Sequence, residues 1–220
     1  MSDSSKLRGM SDKALNIEQR SFQIIDAEVG QHEYSQSEWN IVRRVIHSTA
    51  DFDFAGKNRI IFRNEPISSA LKAIERKCVI VADVDMVVSG INKNSIKSLG
   101  LKVSCHISKE SVIENSIKSN KTRAQLAMRY ASSEINGGIV IVGNAPSSLL
   151  EVIDMVREKT SMPALIIGTP VGFVSASESK IDLLGLDVPL ISNIGRKGGS
   201  SVAASIINAL MLIQRNNFQL

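Results

Sequence analysis

From Lys77 onward the chain carries five short apolar runs, separated by segments long enough for crossover helices. They are Cys78–Val84, Leu101–Ile107, Gly138–Gly143, Pro163–Gly168 and Val188–Asn193. The runs are continuously apolar instead of alternating, as in strands buried on both faces of a parallel sheet. Helical stretches fill the gaps, most clearly Ser147–Lys159 and Ser200–Gln214. Strands alternating with helices specify an α/β fold. The expected architecture is a three-layer doubly wound sheet of about five mostly parallel strands, with an N-terminal helical and extended addition.

That addition precedes Lys77. Residues 1–12 read as a flexible tail, and residues 13–220 as a single α/β domain. Between Lys13 and Val29, Ala14, Ile17, Ile24 and Ile25 share a helical face, with Ser21 in the middle of the stripe. A serine there can simply bond the carbonyl four residues back. Ser35-x-x-Glu38 is a capping box that opens a second helix, with Trp39, Val42, Val45 and Ile46 on one side. Arg43, Arg44 and His47 close it, where the helix dipole is a sufficient reason for cations. Asp51-Phe-Asp-Phe alternates and reads as extended.

Charge and composition exclude several function classes. The 220 residues carry 26 Lys+Arg against 22 Asp+Glu, a net charge of +4. Aromatics are 4 % of the chain, and no long basic block occurs, so a nucleic-acid surface is not expected. The excess positive charge suits a small polyanion. Val202–Ile213 is too short and too polar to span a bilayer, and Met1-Ser-Asp-Ser-Ser-Lys shows no apolar secretory segment. A cytoplasmic protein without membrane partners is expected. Cys78 and Cys105 lie in apolar runs without CxxC spacing and read as buried small hydrophobes.

The non-generic residues fall where such sheets bind ligands, after the carboxyl ends of the strands. Asp83, Asp85, Met86 and Gly90 follow the first run, and His106 ends the second. Gly143-Asn-Ala-Pro, Gly168-Thr-Pro-Val-Gly-Phe and Asn193-Ile-Gly-Arg-Lys-Gly-Gly-Ser follow the others. Turn chemistry accounts for many of these glycines and prolines. It does not account for Arg196-Lys197 between glycines at a helix start, which suits an anion. Neither GxxxxGK[ST] nor a post-strand GxGxxG is present, so nucleotide chemistry is not indicated. His32, His47 and His106 stand far apart with no HExxH, and GxSxG is absent. His47, beside Arg43, Arg44, Ser48 and Asp51, is the remaining titrating candidate, with a structural role the alternative.

Several segments resemble, in order, the precorrin-8X methylmutase (precorrin isomerase) family. They are Ile17-Glu-Gln-Arg-Ser-Phe, Arg44-Val-Ile-His-Ser-Thr-Ala-Asp-Phe-Asp-Phe, Asp83-Val-Asp-Met-Val, Thr122-Arg, Gly143-Asn-Ala-Pro, Pro170-Val-Gly-Phe-Val with Glu178-Ser-Lys, and Gly198-Gly-Ser. Ser147-Ser148 departs from the family's Thr-Ala pair. The resemblance implies an isomerase that moves a methyl group from C11 to C12 of a corrin-ring precursor on the way to cobalamin. It places the catalytic histidine at His47 and substrate contacts at Ser21 and Arg44, in a homodimeric α/β protein needing no redox cofactor. A tetrapyrrole bearing many carboxylates would also suit Arg123, Arg196 and Lys197. The competing expectation is a corrinoid or polyanion binder without turnover. Whether the substrate carries cobalt stays open.

Overall fold

The computed structural model describes residues 11–217. Among these, six strands form one sheet: β1 (Ile60–Arg63), β2 (Val79–Ala82), β3 (Lys102–Cys105), β4 (Ile139–Val142), β5 (Leu165–Gly168) and β6 (Leu190–Asn193). Their spatial order is β1-β6-β5-β4-β2-β3, with every pairing parallel except the edge pair β1–β6. The expected α/β architecture is therefore present, with one strand more than the five runs announced. β1 was silent because Ile60-Ile-Phe is a short apolar run between Arg59 and Arg63.

Alternate side chains of the same strands feed two separate cores, as a period of two requires. Ile80, Ala82, Ile139, Ile141, Leu165 and Ile167 face α1 (Asp12–Val29), α2 (Gln36–Thr49), α3 (Pro66–Glu75) and α11 (Ser200–Asn217). Val81, Val140, Val142 and Ile166 face α7 (Arg123–Tyr130), α8 (Ser132–Ile135), α9 (Pro146–Arg157) and α10 (Ala176–Leu184). Each fully buried aliphatic side chain contributes about 1.5–3 kcal/mol. The short helices α4 (Asp85–Gly90), α5 (Lys93–Leu99) and α6 (Glu110–Lys118) complete the crossovers. Among the described residues, no helix is long and apolar enough to cross a membrane.

The N-terminal addition holds the corrections. The expected tail over 1–12 falls, up to residue 10, outside the described residues. Ser11 is already the N-cap of α1, accepting from Ala14 N, and Asp12 is helical. The buried face of α1 is Leu15, Glu18, Phe22 and Ile25, whereas Ile17 and Ile24 are 58 % and 50 % exposed. The helix has two apolar stripes, and α2 covers the one containing Phe22. Asp51-Phe-Asp-Phe is not extended. Asp51 caps a 3-10 turn over Phe52–Phe54 by accepting from Asp53 N at 3.0 Å, which buries Phe54. α2 starts as expected, with Ser35 and Glu38 closing both halves of the capping box. Cys78 and Cys105 are half-buried, and burial pushes each thiol up to about 11. They behave as packing groups.

Two details fix the carboxyl edge of the sheet. Asp83, fully buried after β2, accepts from the backbone N–H groups of Gly143, Asn144 and Ala145 at 2.8–3.1 Å. Burial raises its carboxyl above the ordinary range, against the pull of those three donors. The contact staples the exits of β2 and β4. Gly143 is required there, because a Cβ would come within 2.9 Å of Ala203 and Val87 and 3.0 Å of Ser200 Cα. Without that side chain, α11 starts directly over the end of β4.

Candidate active site

The end of α2 brings two of the expected residues, His47 and Arg44, against one aromatic ring. Phe22 packs edge-on against His47, with ring centroids 5.4 Å apart. The Arg44 guanidinium lies 5.1 Å from the Phe22 centroid, and that of Arg43 4.4 Å. Ser21, adjacent to Phe22 on α1, donates its hydroxyl to the Ile17 carbonyl at 2.8 Å. The helix-internal bond open to a mid-helix serine is thus made.

His47 is exposed, and neither ring nitrogen has a hydrogen-bond partner among the described residues. Asp51 does not sit against it. That carboxylate is held by its own capping bond and by Lys197. Both arginines have carboxylate partners on α1, a stronger reason for their position than the helix dipole. Arg44 donates to Glu18 at 3.0 and 3.5 Å, and Arg43 to Asp26 at 3.1 Å and Asn40 at 2.9 Å. Glu18, 9 % exposed within an otherwise apolar face, could not be read from periodicity. Its partner stands 26 residues away.

The turn after β6 forms the second cluster. Lys197 Nζ donates to Asp51 at 2.7 Å and Asp53 at 2.8 Å, which ties the turn to the end of α2. Those bonds, first to Asp51 and then to Asp53, hold the ammonium above its ordinary range, and the Asp53 carboxyl is held below its own. Arg196 is exposed and lies 5.3 Å over the Phe173 ring. A cleft of about 590 Å³ opens between these groups, with Lys57, Asn58 and Glu178 on its walls. Arg123 is not part of either cluster. It opens α7, whose cap Thr122 donates to Ser147 Oγ at 3.1 Å, so that helix starts beside the first turn of α9.

Around these cations the same edge exposes large apolar side chains: Met86 after β2, Val171, Phe173 and Val174 after β5, and Ile194 after β6. Phe173 is 86 % exposed. The Gly172 N–H donates to the Arg196 carbonyl at 3.2 Å, so the β5 and β6 loops form one surface. An apolar platform rimmed by cations suits a flat, hydrophobic ligand with anionic arms. A larger groove of about 1020 Å³ runs along β1, but Glu28, Glu33 and Glu38 line it with Arg59 and Arg63. It contains none of the expected residues and opposes a polycarboxylate with acids. Among the described residues, no three His, Cys, Asp or Glu side chains gather as a metal site.

The precorrin-8X methylmutase family pattern matches residues 16–213. This chain belongs to the precorrin-8X methylmutase family. It is 45 % identical to a cobalt-precorrin-8 methylmutase of Leptospira interrogans serogroup Icterohaemorrhagiae serovar Lai, over 94 % of this chain and 97 % of the relative. A precorrin-8X methylmutase of Sinorhizobium sp is 32 % identical over 88 % of this chain and 92 % of its own length. Among solved structures, the precorrin-8X methylmutase of Thermus thermophilus superposes with a TM-score of 0.86 at 36 % identity, covering 92 % of this chain and 97 % of that one. The methylmutase match takes in both cation clusters, His47 and Arg123.

Proposed function

We propose that this chain is an intramolecular methyltransferase that moves a methyl group from C11 to C12 of precorrin-8X or cobalt-precorrin-8, with His47 as proton donor. The observation that carries the reading is the exposed His47 imidazole, its nitrogens unpartnered among the described residues, beside one cation cluster at the end of α2, with Asp51 just past that helix bonded to Lys197 of the second. In this reading the macrocycle lies on the platform of Met86, Val171, Phe173, Val174 and Ile194. Its carboxylates meet Arg196 and Lys197 on one side, Arg123 on another, and Ser21 and Arg44 on the α1–α2 wall. His47 donates a proton or a strong hydrogen bond to the ring, polarising the conjugated system as the methyl migrates. Such help is worth roughly 10²–10⁴-fold. Holding the ring near the migration geometry supplies much of the rest. The chemistry is a rearrangement, and any cobalt belongs to the substrate. A binder without turnover would use the arginines and leave the exposed imidazole without a task.

The greater likeness to the Leptospira relative, 45 % against 32 % for that of Sinorhizobium, makes cobalt-precorrin-8 the first substrate to test. Purified protein incubated with it, and in parallel with precorrin-8X, is expected to change the absorption spectrum of one of them. Two unchanged chromophores would overturn the assignment. The assembly we propose is a cytoplasmic homodimer, supported by the exposed Ile17 and Ile24 on α1. Sedimentation that stays monomeric at all concentrations would exclude that assembly.

A further inference from the structure

Lys180 is 1 % exposed, on α10 beneath the turn that carries Arg196 and Lys197. A buried ammonium ordinarily has a carboxylate beside it. This one donates to two neutral oxygens, Asn193 Oδ1 at 3.2 Å and the Lys197 carbonyl at 2.7 Å. The charged groups of the neighbourhood are otherwise engaged or directed elsewhere. On its own helix, Asp182 is held by Arg157 of α9, and Glu178 lines the cleft. On the turn, Lys197 Nζ is taken by Asp51 and Asp53, and Arg196 lies over Phe173. None of them hydrogen-bonds Lys180 Nζ. Desolvation accordingly pulls the lysine down to about 8.

An aliphatic side chain of this length would fill the site without the cost of a buried charge. What the ammonium does instead is hold the turn. The Lys197 carbonyl accepts from Lys180 and also from Asn193 Nδ2 at 2.8 Å, and the same amide donates to the Ile194 carbonyl at 2.9 Å. Gly199 N–H donates to Thr169 O at 2.8 Å, and Gly198 backs onto that carbonyl so closely that a Cβ has no room. With these carbonyls drawn inward, the backbone N–H groups of residues 195–198 meet no acceptor among the described residues. They open beside the first turn of α11, which begins at the Ala203 N to Gly199 O bond.

We propose that Lys180 is a positioning residue for the substrate: its buried ammonium pins the Asn193–Lys197 turn and sets beneath it a positive charge that a corrinoid carboxylate neutralises on binding. This rests on reading the turn as a carboxylate clamp. The charge acts on affinity and not on the migrating bond, so its loss raises KM and spares kcat. Affinity also falls as pH rises through about 8 and the ammonium loses its proton.

The test is steady-state turnover of cobalt-precorrin-8, or of precorrin-8X if that is the one converted, between about pH 6.5 and 9.5 for wild type, Lys180→Met and Lys180→Gln. In wild type, KM is expected to rise roughly tenfold across that range. In both variants it is expected to be about tenfold higher at neutral pH and flat, with kcat within about twofold. Variants that melt like wild type yet keep its KM, or that lose kcat at unchanged KM, would overturn the proposal. Should neither variant fold, a wild-type KM that does not change with pH overturns it alone. Wild type that converts neither substrate defeats the methylmutase reading itself, a different result from conversion with unshifted KM.

Discussion

The α1–α2 wall and the β6–α11 turn each present two consecutive cations, and the two pairs are treated differently. On the wall, Arg43 and Arg44 face Asp26 and Glu18, so the charge is answered within the protein. On the turn, two carboxylates crowd onto Lys197, while Arg196 has an aromatic ring and Lys180 beneath has neutral oxygens. Charge left unanswered is charge available to a ligand. In the proposed reading the wall supplies shape and chemistry through the exposed His47, and the turn attracts carboxylates.

The largest effect should come from removing that histidine. His47→Ala is expected to fold, because the ring is exposed and touches Phe22 alone among the described aromatics. Substrate should still bind through the turn, and single-turnover migration should slow by ~10²–10⁴. A variant that rearranges substrate at near wild-type rate would reduce the wall to scaffold.

The second test weighs the two arginines. Arg44→Ala removes two charge-assisted bonds from Glu18, 9 % exposed, and should cost about 1.5–3 kcal/mol in denaturant unfolding, the scale of a hydrogen bond to a charged group. Arg43→Ala loses a pair whose acid, Asp26, is 42 % exposed, and should cost about 0–1 kcal/mol. Adding Glu18→Gln to Arg44→Ala should recover part of the loss, a coupling that a double-mutant cycle reads directly. In the proposed reading Arg44 also meets a substrate carboxylate, so its alanine variant should bind more weakly than that of Arg43. Equal affinity and equal stability for the two would erase the distinction between wall and turn.

How much of this was legible follows from the range over which each signal acts. The sheet was readable because β4 and β5 are buried on both faces and their sequence is apolar throughout. β1 was not, since its short apolar run gains meaning only by pairing with β6 across the chain. Arg196-Lys197 stood out as cations in a glycine turn, and His47 as a lone titrating group. Glu18 and Lys180 stand within segments that carry the family resemblance, but their roles could not be read, because each is a charge on a buried helix face whose justification is a partner far along the sequence. The α1 face was misjudged for a related reason. Ile17 and Ile24 make as good a stripe as Phe22 and Ile25, and only the docking of α2 chooses between them.

The smallest effect concerns Lys197. Both of its carboxylates are at the surface, with Asp53 43 % and Asp51 27 % exposed, so salt screens the pairs and their support of the fold is slight. Asp53→Asn should leave the melting temperature near wild type at neutral pH and should improve substrate affinity about twofold, because Lys197 is then held by one acid instead of two. The acid limb gives the sign. Lys197 keeps the Asp53 carboxyl below its ordinary range, so whatever the pair contributes is present above that range and disappears as pH falls through the folded-state value. Any stability gap between wild type and variant should therefore be constant near neutrality and close in acid. A large loss of melting temperature at neutral pH, with affinity unchanged, would mean that Lys197 belongs to the scaffold as Arg44 does. The turn would then attract its ligand through Arg196 and the backbone alone.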